Sequence, residues 1–203
     1  MPTYLSLPQC PARPFMSDAE TACFARWIPQ GGKALEFGMG GSTRFFFEQG
    51  LWSLTSVESD PTWVLALRQD PFLSFFLQKG RLNVNHADIG PVRGLGAPLR
   101  TAPQEALLRY HQDIWCNIDP KELNFILIDG RFRVACTCQT LLRCKKDAVI
   151  LFHDFWNRNF YHIILDFVDV LESSESTAVL RSKINLDEKR VLETLHKFKY
   201  VYD

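Results

Sequence analysis

The chain has 203 residues, 46% of them apolar and 23% charged, which suits one globular domain with a sizeable core rather than two. Lys+Arg and Asp+Glu both number 23, so no excess of positive charge is present to hold a phosphate backbone, and a dedicated nucleic-acid binder is disfavoured. The longest apolar runs, such as Ala148 to Phe152, are too short to cross a bilayer, and the start MPTYLSLPQCPARPF lacks a basic segment followed by an apolar block, so a cytoplasmic protein with no membrane attachment is expected.

In chain order, residues 1–16 carry four prolines and read as an irregular arm. Ser17, with Glu20 three residues on, has the form of a capping box and predicts a helix over 17–28, stopped by Pro29 and Gly31-Gly32. Lys33 to Phe37 reads as a short strand running into a glycine turn, followed by a helix from Thr43 to Gln49 that Gly50 closes. Ser53 to Asp60 is the second strand, ending on Glu58, and Pro61 to Gln69 a helix with proline in its first turn. Arg81 to Gly90 is a third strand ending near Asp88; residues 91–104 hold three Pro and two Gly and read as loop, and Ala106 to Asn117 as helix.

Asn124 to Gly130 is a nearly continuous apolar run ending on Asp129, the pattern of a strand covered on both faces. Val134 to Arg143 reads as helix, Ala148 to Asp154 as a second buried strand ending on His153-Asp154, and Tyr161 to Leu171 as helix by its spacing. Two further strands are expected near the C-terminus, at Ser176 to Ile184 and Phe198 to Asp203, separated by a helix over Asp187 to His196. Six cysteines at 10, 23, 116, 136, 138 and 144 offer no zinc-type spacing and read as reduced, mostly buried thiols.

Strand alternating with helix predicts one doubly wound α/β domain over 1–203, with ligands at the carboxyl ends of the strands. Glu36, Glu58, Asp88, Asp129 and Asp154 all fall at that edge. Gly38, Gly40 and Gly41 let the backbone turn sharply and approach a ligand, although a plain strand-to-helix connection would use them too. Thr43 stands where the dinucleotide fingerprint has its last glycine. Glu58, 22 residues after Glu36 (36 to 58), is placed to accept hydrogen bonds from two ribose hydroxyls. Glu36 before the turn would repel a pyrophosphate but could hold an ammonium group, so the charge pattern favours S-adenosylmethionine over a nicotinamide dinucleotide.

At these residues the chain resembles the class I S-adenosylmethionine-dependent methyltransferases. Glu36-Phe-Gly38-Met-Gly40-Gly41-Ser42 looks like their first motif, with Ser42 replacing its third glycine, and Glu58-Ser59 like the ribose-binding segment after the second strand. His86-Ala87-Asp88-Ile89 looks like the adenine-contacting motif, while LIDG around Asp129 and LFHD around Asp154 match the fourth- and fifth-strand segments. The resemblance covers about 32–167 as the cofactor-binding core, leaves 168–203 for the C-terminal strands, and implies a mostly parallel seven-stranded sheet of order 3-2-1-4-5-7-6, last strand antiparallel, with helices on both faces.

Methyl transfer to an oxygen needs a nucleophile freed of its proton by a base or a metal. Asp129, His153 and Asp154 could serve as ligands of a divalent ion such as Mg or Mn, or His153 could act as a base without metal while Asp154 caps the next segment. Arg131 and Arg133 could clamp an anionic acceptor or be ordinary ion-pair partners. A small-molecule acceptor is expected, with a homodimer left open. A methyltransferase-like binding module without catalysis and an NAD-dependent oxidoreductase are the alternatives.

Overall fold

Seven strands form one sheet in the computed structural model, which describes residues 9–202. They are β1 (Lys33–Phe37), β2 (Ser53–Glu58), β3 (Leu82–His86), β4 (Phe125–Ile128), β5 (Val149–Phe152), β6 (Val168–Ser174) and β7 (Thr177–Ser182). Their order across the sheet is 3-2-1-4-5-7-6, as expected; β1 to β5 run parallel, and β7 is antiparallel to both its neighbours. Of the expected N-terminal arm, residues 1–8 lie outside the described residues, and 9–16 form bends with no regular element.

The central strands alternate their side chains between two apolar layers. Phe125 and Leu127 pack with Cys23, Phe24, Phe46, Leu67 and Leu73. Those residues come from α1 (Asp18–Trp27), α2 (Gly41–Glu48), α3 (Pro61–Gln69) and α4 (Pro71–Gln78). On the other face Ile126 and Ile128 pack with Val134, Leu141 and Val191 from α5 (Arg133–Arg143) and α6 (Glu188–Phe198). Helices therefore cover both faces, which is why β4 reads as an unbroken apolar run. Among the described residues no helix is long and apolar enough to cross a membrane.

The elements around the glycine turn and the central strands lie close to their expected places. The capping box is formed: Ser17 Oγ accepts from Glu20 N at 3.2 Å, and Glu20 Oε2 accepts from Ser17 N at 3.1 Å. Four differences have local causes. Helix α4 is an addition to the expected elements; Asp70 ends α3 and at once caps α4, accepting from Leu73 N at 2.9 Å with Pro71 behind it. The expected helix at Ala106 to Asn117 is broken into short 3-10 and α turns. The helix expected through Leu171 is instead a 3-10 stretch, Asn159–Asp166, followed by edge strand β6, whose register shift between Val170 and Glu172 interrupts the alternation that marks a strand. The last strand of the sheet is β7, not the segment Phe198 to Asp203. Helix α6 runs through Phe198 because Val191, Leu195 and Phe198 keep a helical stripe against the α5 side of the core.

Candidate functional site

The chain winds outward from β1 in both directions, with β2 on one side and β4 on the other, so the winding reverses at the carboxyl ends of these strands, the place where such sheets hold ligands. Gly38 closes β1 at φ +94°, and a Cβ there would lie 2.5 Å from backbone atoms of Gly130, so only glycine lets the turns after β1 and β4 approach each other. A Cβ on Gly40 would meet nothing within 4 Å, whereas one on Gly41 would collide with the backbone of Arg13 in the N-terminal arm.

Glu36 lies wholly inside. It shares a strand face with Ala34 and stands opposite Ser56 of β2, and its carboxylate accepts hydrogen bonds from Ser42, from Thr43 at 2.7 Å and from Ser56. Burial pushes its pKa up to about 7 against the pull of those three hydroxyls, and the Asp129 charge adds to the rise. One carboxylate thus ties together β1, the first turn of α2 and β2; an ammonium group would have to reach it through that hydroxyl shell. Ser42, in the place of the motif's third glycine, supplies one of the three hydroxyls.

Glu58 lies at the end of β2, 6% exposed. Its Oε1 accepts from Ser59 N at 2.6 Å, Asp60 N at 2.8 Å and Ser59 Oγ at 3.3 Å; among the described residues Oε2 accepts none. Burial raises its pKa while the two backbone amides oppose the rise. Beyond β3, Asp88 is exposed, accepting from Gly90 N at 3.1 Å, and Ile89 is buried in the apolar layer beside Val57. Arg131 donates through Nε to Leu95 O at 3.0 Å.

A second group sits at the ends of β4 and β5. His153 Nδ1 lies 2.8 Å from Asp129 Oδ1, and its Nε2 lies 3.6 Å from Oε2 of Glu20 on α1. Burial alone would lower the proton affinity of the ring, but the hydrogen bond and charge of Asp129, helped by Asp154, raise it. Asp154 turns away: at φ +60° its carboxylate accepts from Arg158 at 2.9 Å and Asn157 at 3.1 Å, and Arg133 stands at 3.4 Å. Burial tends to raise its pKa, yet the Asn157 hydrogen bond and the neighbouring positive charges hold it below the usual range. The expected metal triad is therefore not assembled. Asp154 is occupied by guanidinium groups and Asp129 by His153 and Arg133, and among the described residues no group of three or more His, Cys, Asp or Glu is disposed to hold a metal ion.

Arg133 is also not an acceptor clamp. It is 6% exposed and donates to the carbonyls of Gly130 at 2.9 Å, Asp129 at 2.8 Å and His153, with the Asp129 and Asp154 carboxylates beside it. Arg133→Ala should lower unfolding stability by about 3–5 kcal/mol, because it takes the buried donor from the carbonyls of Gly130, Asp129 and His153 and one positive partner from Asp129 and Asp154; a urea midpoint unchanged from the parent would refute that role.

Sequence reasoning passes over two contributors. Glu20 is visible as a helix cap, but nothing in its spacing shows that it reaches His153 and also accepts from Ser176 N at 3.1 Å. The loop carrying Gly94-Leu95-Gly96 is marked only by its paired glycines. Among the described residues, three of the four non-glycine residues with positive φ, Leu95, Phe132 and Asp154, lie at this carboxyl edge, where backbone strain commonly accompanies function.

No protein-family model and no curated protein matches the chain. Among solved structures it is similar to a methyltransferase-like protein from Silicibacter pomeroyi DSS-3, with TM-score 0.79 and 25% identity over 94% of this chain and 100% of that one. It is also similar to a methyltransferase from Geobacter sulfurreducens, with TM-score 0.52 and 12% identity over 84% of this chain and 82% of that one, a likeness of fold alone.

Proposed function

Because the chain is by fold a class I S-adenosylmethionine-dependent methyltransferase, we propose that it moves a methyl group from S-adenosylmethionine to a small-molecule acceptor, at oxygen, in the cytoplasm. The observation that carries this reading is Glu58. It ends the strand beside the glycine turn, has one carboxylate oxygen fixed by backbone amides, and keeps the other for a pair of ribose hydroxyls.

The residues at the crevice fit that cofactor. Gly38 and Gly40 allow close backbone approach, with no Cβ in the way at Gly40. Asp88 and Ile89 lie past the end of β3, on the side where the adenine would extend, and Asp129 ends β4 next to the turn. S-adenosylmethionine brings its own activated methyl on a sulfonium, so the protein's share is to align the acceptor and take its proton. His153 is the group for that proton: Asp129 at Nδ1 orients the ring and strengthens it as a base. Arg131, on the turn after β4, is read as the group that meets the acceptor or the cofactor's carboxylate. A nicotinamide dinucleotide fits less well, since the hydroxyls at the start of α2 are turned onto Glu36 and not towards a pyrophosphate.

Calorimetry with S-adenosylmethionine, S-adenosylhomocysteine and NAD tests the reading. Binding of the two sulfur ligands without NAD is expected; binding of NAD and neither sulfur ligand would overturn it.

A further inference from the structure

Three carboxylates lie near the ring of His153, and two of them are already matched by arginine. Asp129 accepts at Nδ1 and has Arg133 at 3.3 Å, while Asp154 holds Arg158 at 2.9 Å with Arg133 at 3.4 Å. Glu20, on α1, is different. Its Oε2 lies 3.6 Å from Nε2 of the ring, and among the described residues no lysine or arginine pairs with it. The groups that hold it are neutral. Oε1 accepts from Ser176 N and Thr177 Oγ1 at 3.1 Å each and from Ser176 Oγ at 2.5 Å, and Oε2 accepts from Ser17 N at 3.1 Å.

The charges near the ring therefore do not balance without it. Glu20, Asp129 and Asp154 stand against Arg133 and Arg158, which leaves one negative charge, and that charge is cancelled when both nitrogens of His153 carry a proton. Glu20 is 5% exposed, so its charge cannot be left to water. Burial tends to raise its pKa, yet the hydrogen bonds from Ser176 and Ser17 and the charge of His153 hold it below the ordinary carboxylate range. Nε2 is also the open edge of the ring. It makes no hydrogen bond, and the polar side-chain atoms buried without a partner among the described residues are Trp156 Nε1 and Arg181 Nε, not this one. An acceptor can reach Nε2, whereas Nδ1 is taken.

We propose that Glu20 is a positioning residue for the transfer: it fixes the Nε2 edge of His153 from α1 and supplies the counter-charge for the proton the ring takes up there. The inference rests on the methyltransferase reading for the reaction, and on the charge count for the residue. In the step, the acceptor's O–H proton passes to Nε2 while the oxygen's electron pair takes the methyl from sulfur, which keeps the pair of the broken bond. The ring starts neutral at Nε2 and ends as a cation, bonded to Asp129 and facing Glu20, so the charge develops beside a carboxylate already in place. Asp129 and Asp154 serve that charge less, since each is shared with an arginine.

Proton uptake by His153 tests the pairing, read from the carbon and nitrogen resonances of its imidazole as pH is varied, with His153→Gln to identify the peaks. Glu20→Gln keeps an oxygen for Ser176 and Thr177 but removes the charge, and the His153 midpoint should fall by about one pH unit or more, a tenfold loss of proton affinity. Ser17→Ala is the control for weakened helix capping: it keeps the Glu20 carboxylate and the Ser17 amide, and its midpoint should stay within about 0.3 pH unit of the wild type. A Glu20→Gln midpoint within about 0.3 pH unit of the wild type, or an equal fall in Ser17→Ala, overturns the proposal. If Glu20→Gln does not fold, the wild type gives the answer, because coupling between two groups is mutual. The side-chain carboxyl carbon of Glu20 should then shift at the His153 midpoint, and one that does not move there overturns the pairing. A wild type that binds no S-adenosylhomocysteine overturns the methyltransferase reading, and the step with it, whereas the midpoints report on the pairing alone.

Discussion

Glu58→Ala should weaken S-adenosylhomocysteine binding by two orders of magnitude or more. The carboxylate ends β2 beside the glycine turn, and Ser59 N and Asp60 N hold one of its oxygens in place. Two ribose hydroxyls on the other edge would make charge-assisted hydrogen bonds of about 1.5–3 kcal/mol each, so losing both amounts to roughly 3–6 kcal/mol, or about 10²- to 10⁴-fold in affinity. Glu58 is almost wholly buried, and that burial raises its pKa while the Ser59 and Asp60 amides oppose the rise. Glu58→Gln keeps one oxygen to accept from the backbone amides and turns an NH2, a donor only, towards the ribose, so it should fall between the two chains. Calorimetry on all three, with thermal unfolding to confirm that each is folded, checks the result. If folded Glu58→Ala binds S-adenosylhomocysteine as the wild type does, the ribose role is wrong and the assignment of the crevice goes with it.

The parts of the fold that can be read from the sequence are those where local chemistry and tertiary environment agree. Asp60-Pro61 announces α3, and Asp70-Pro71 carries the same cap-and-proline signature for α4, so that helix too is legible in its own residues. The difference at the C-terminal edge has another origin. Glu172 in β6 pairs with Arg26 and accepts from Trp27 Nε1 at 2.6 Å, and the strand carries a bulge, so long-range contacts and not its own alternation make it a strand. The site divides in the same way. Strand ends fix which carboxylates reach the rim, and the sequence shows strand ends. Which partner each carboxylate takes depends on side chains far away in the chain. Asp154 turns to Arg158 and Arg133, and Glu20 crosses to His153 from a helix that precedes the core.

Glu36 is where the rim and the core are joined, and its replacement separates two roles. Glu36→Ala leaves the hydroxyls of Ser42, Thr43 and Ser56 without their acceptor and opens a cavity at a fully buried position, a loss of about 3–5 kcal/mol. Glu36→Gln keeps an acceptor but removes the titration. The folded-state pKa of about 7 stands above the ordinary 4.5, so protonated Glu36 stabilises the fold fully below about pH 4.5, and that contribution is lost as the pH rises through about 7. At about 1.4 kcal/mol for each pH unit across that interval, the loss is on the order of 3 kcal/mol. Urea unfolding at several pH values should therefore show the parent losing stability between pH 4.5 and 7 relative to Glu36→Gln, and a difference that does not vary with pH would refute the raised pKa. Binding then distinguishes a staple from a ligand contact. If Glu36 acts by holding the glycine turn to α2 and β2, folded Glu36→Gln keeps its affinity for S-adenosylhomocysteine. If the carboxylate itself meets the ligand's ammonium, that variant loses affinity while its stability at neutral pH does not fall.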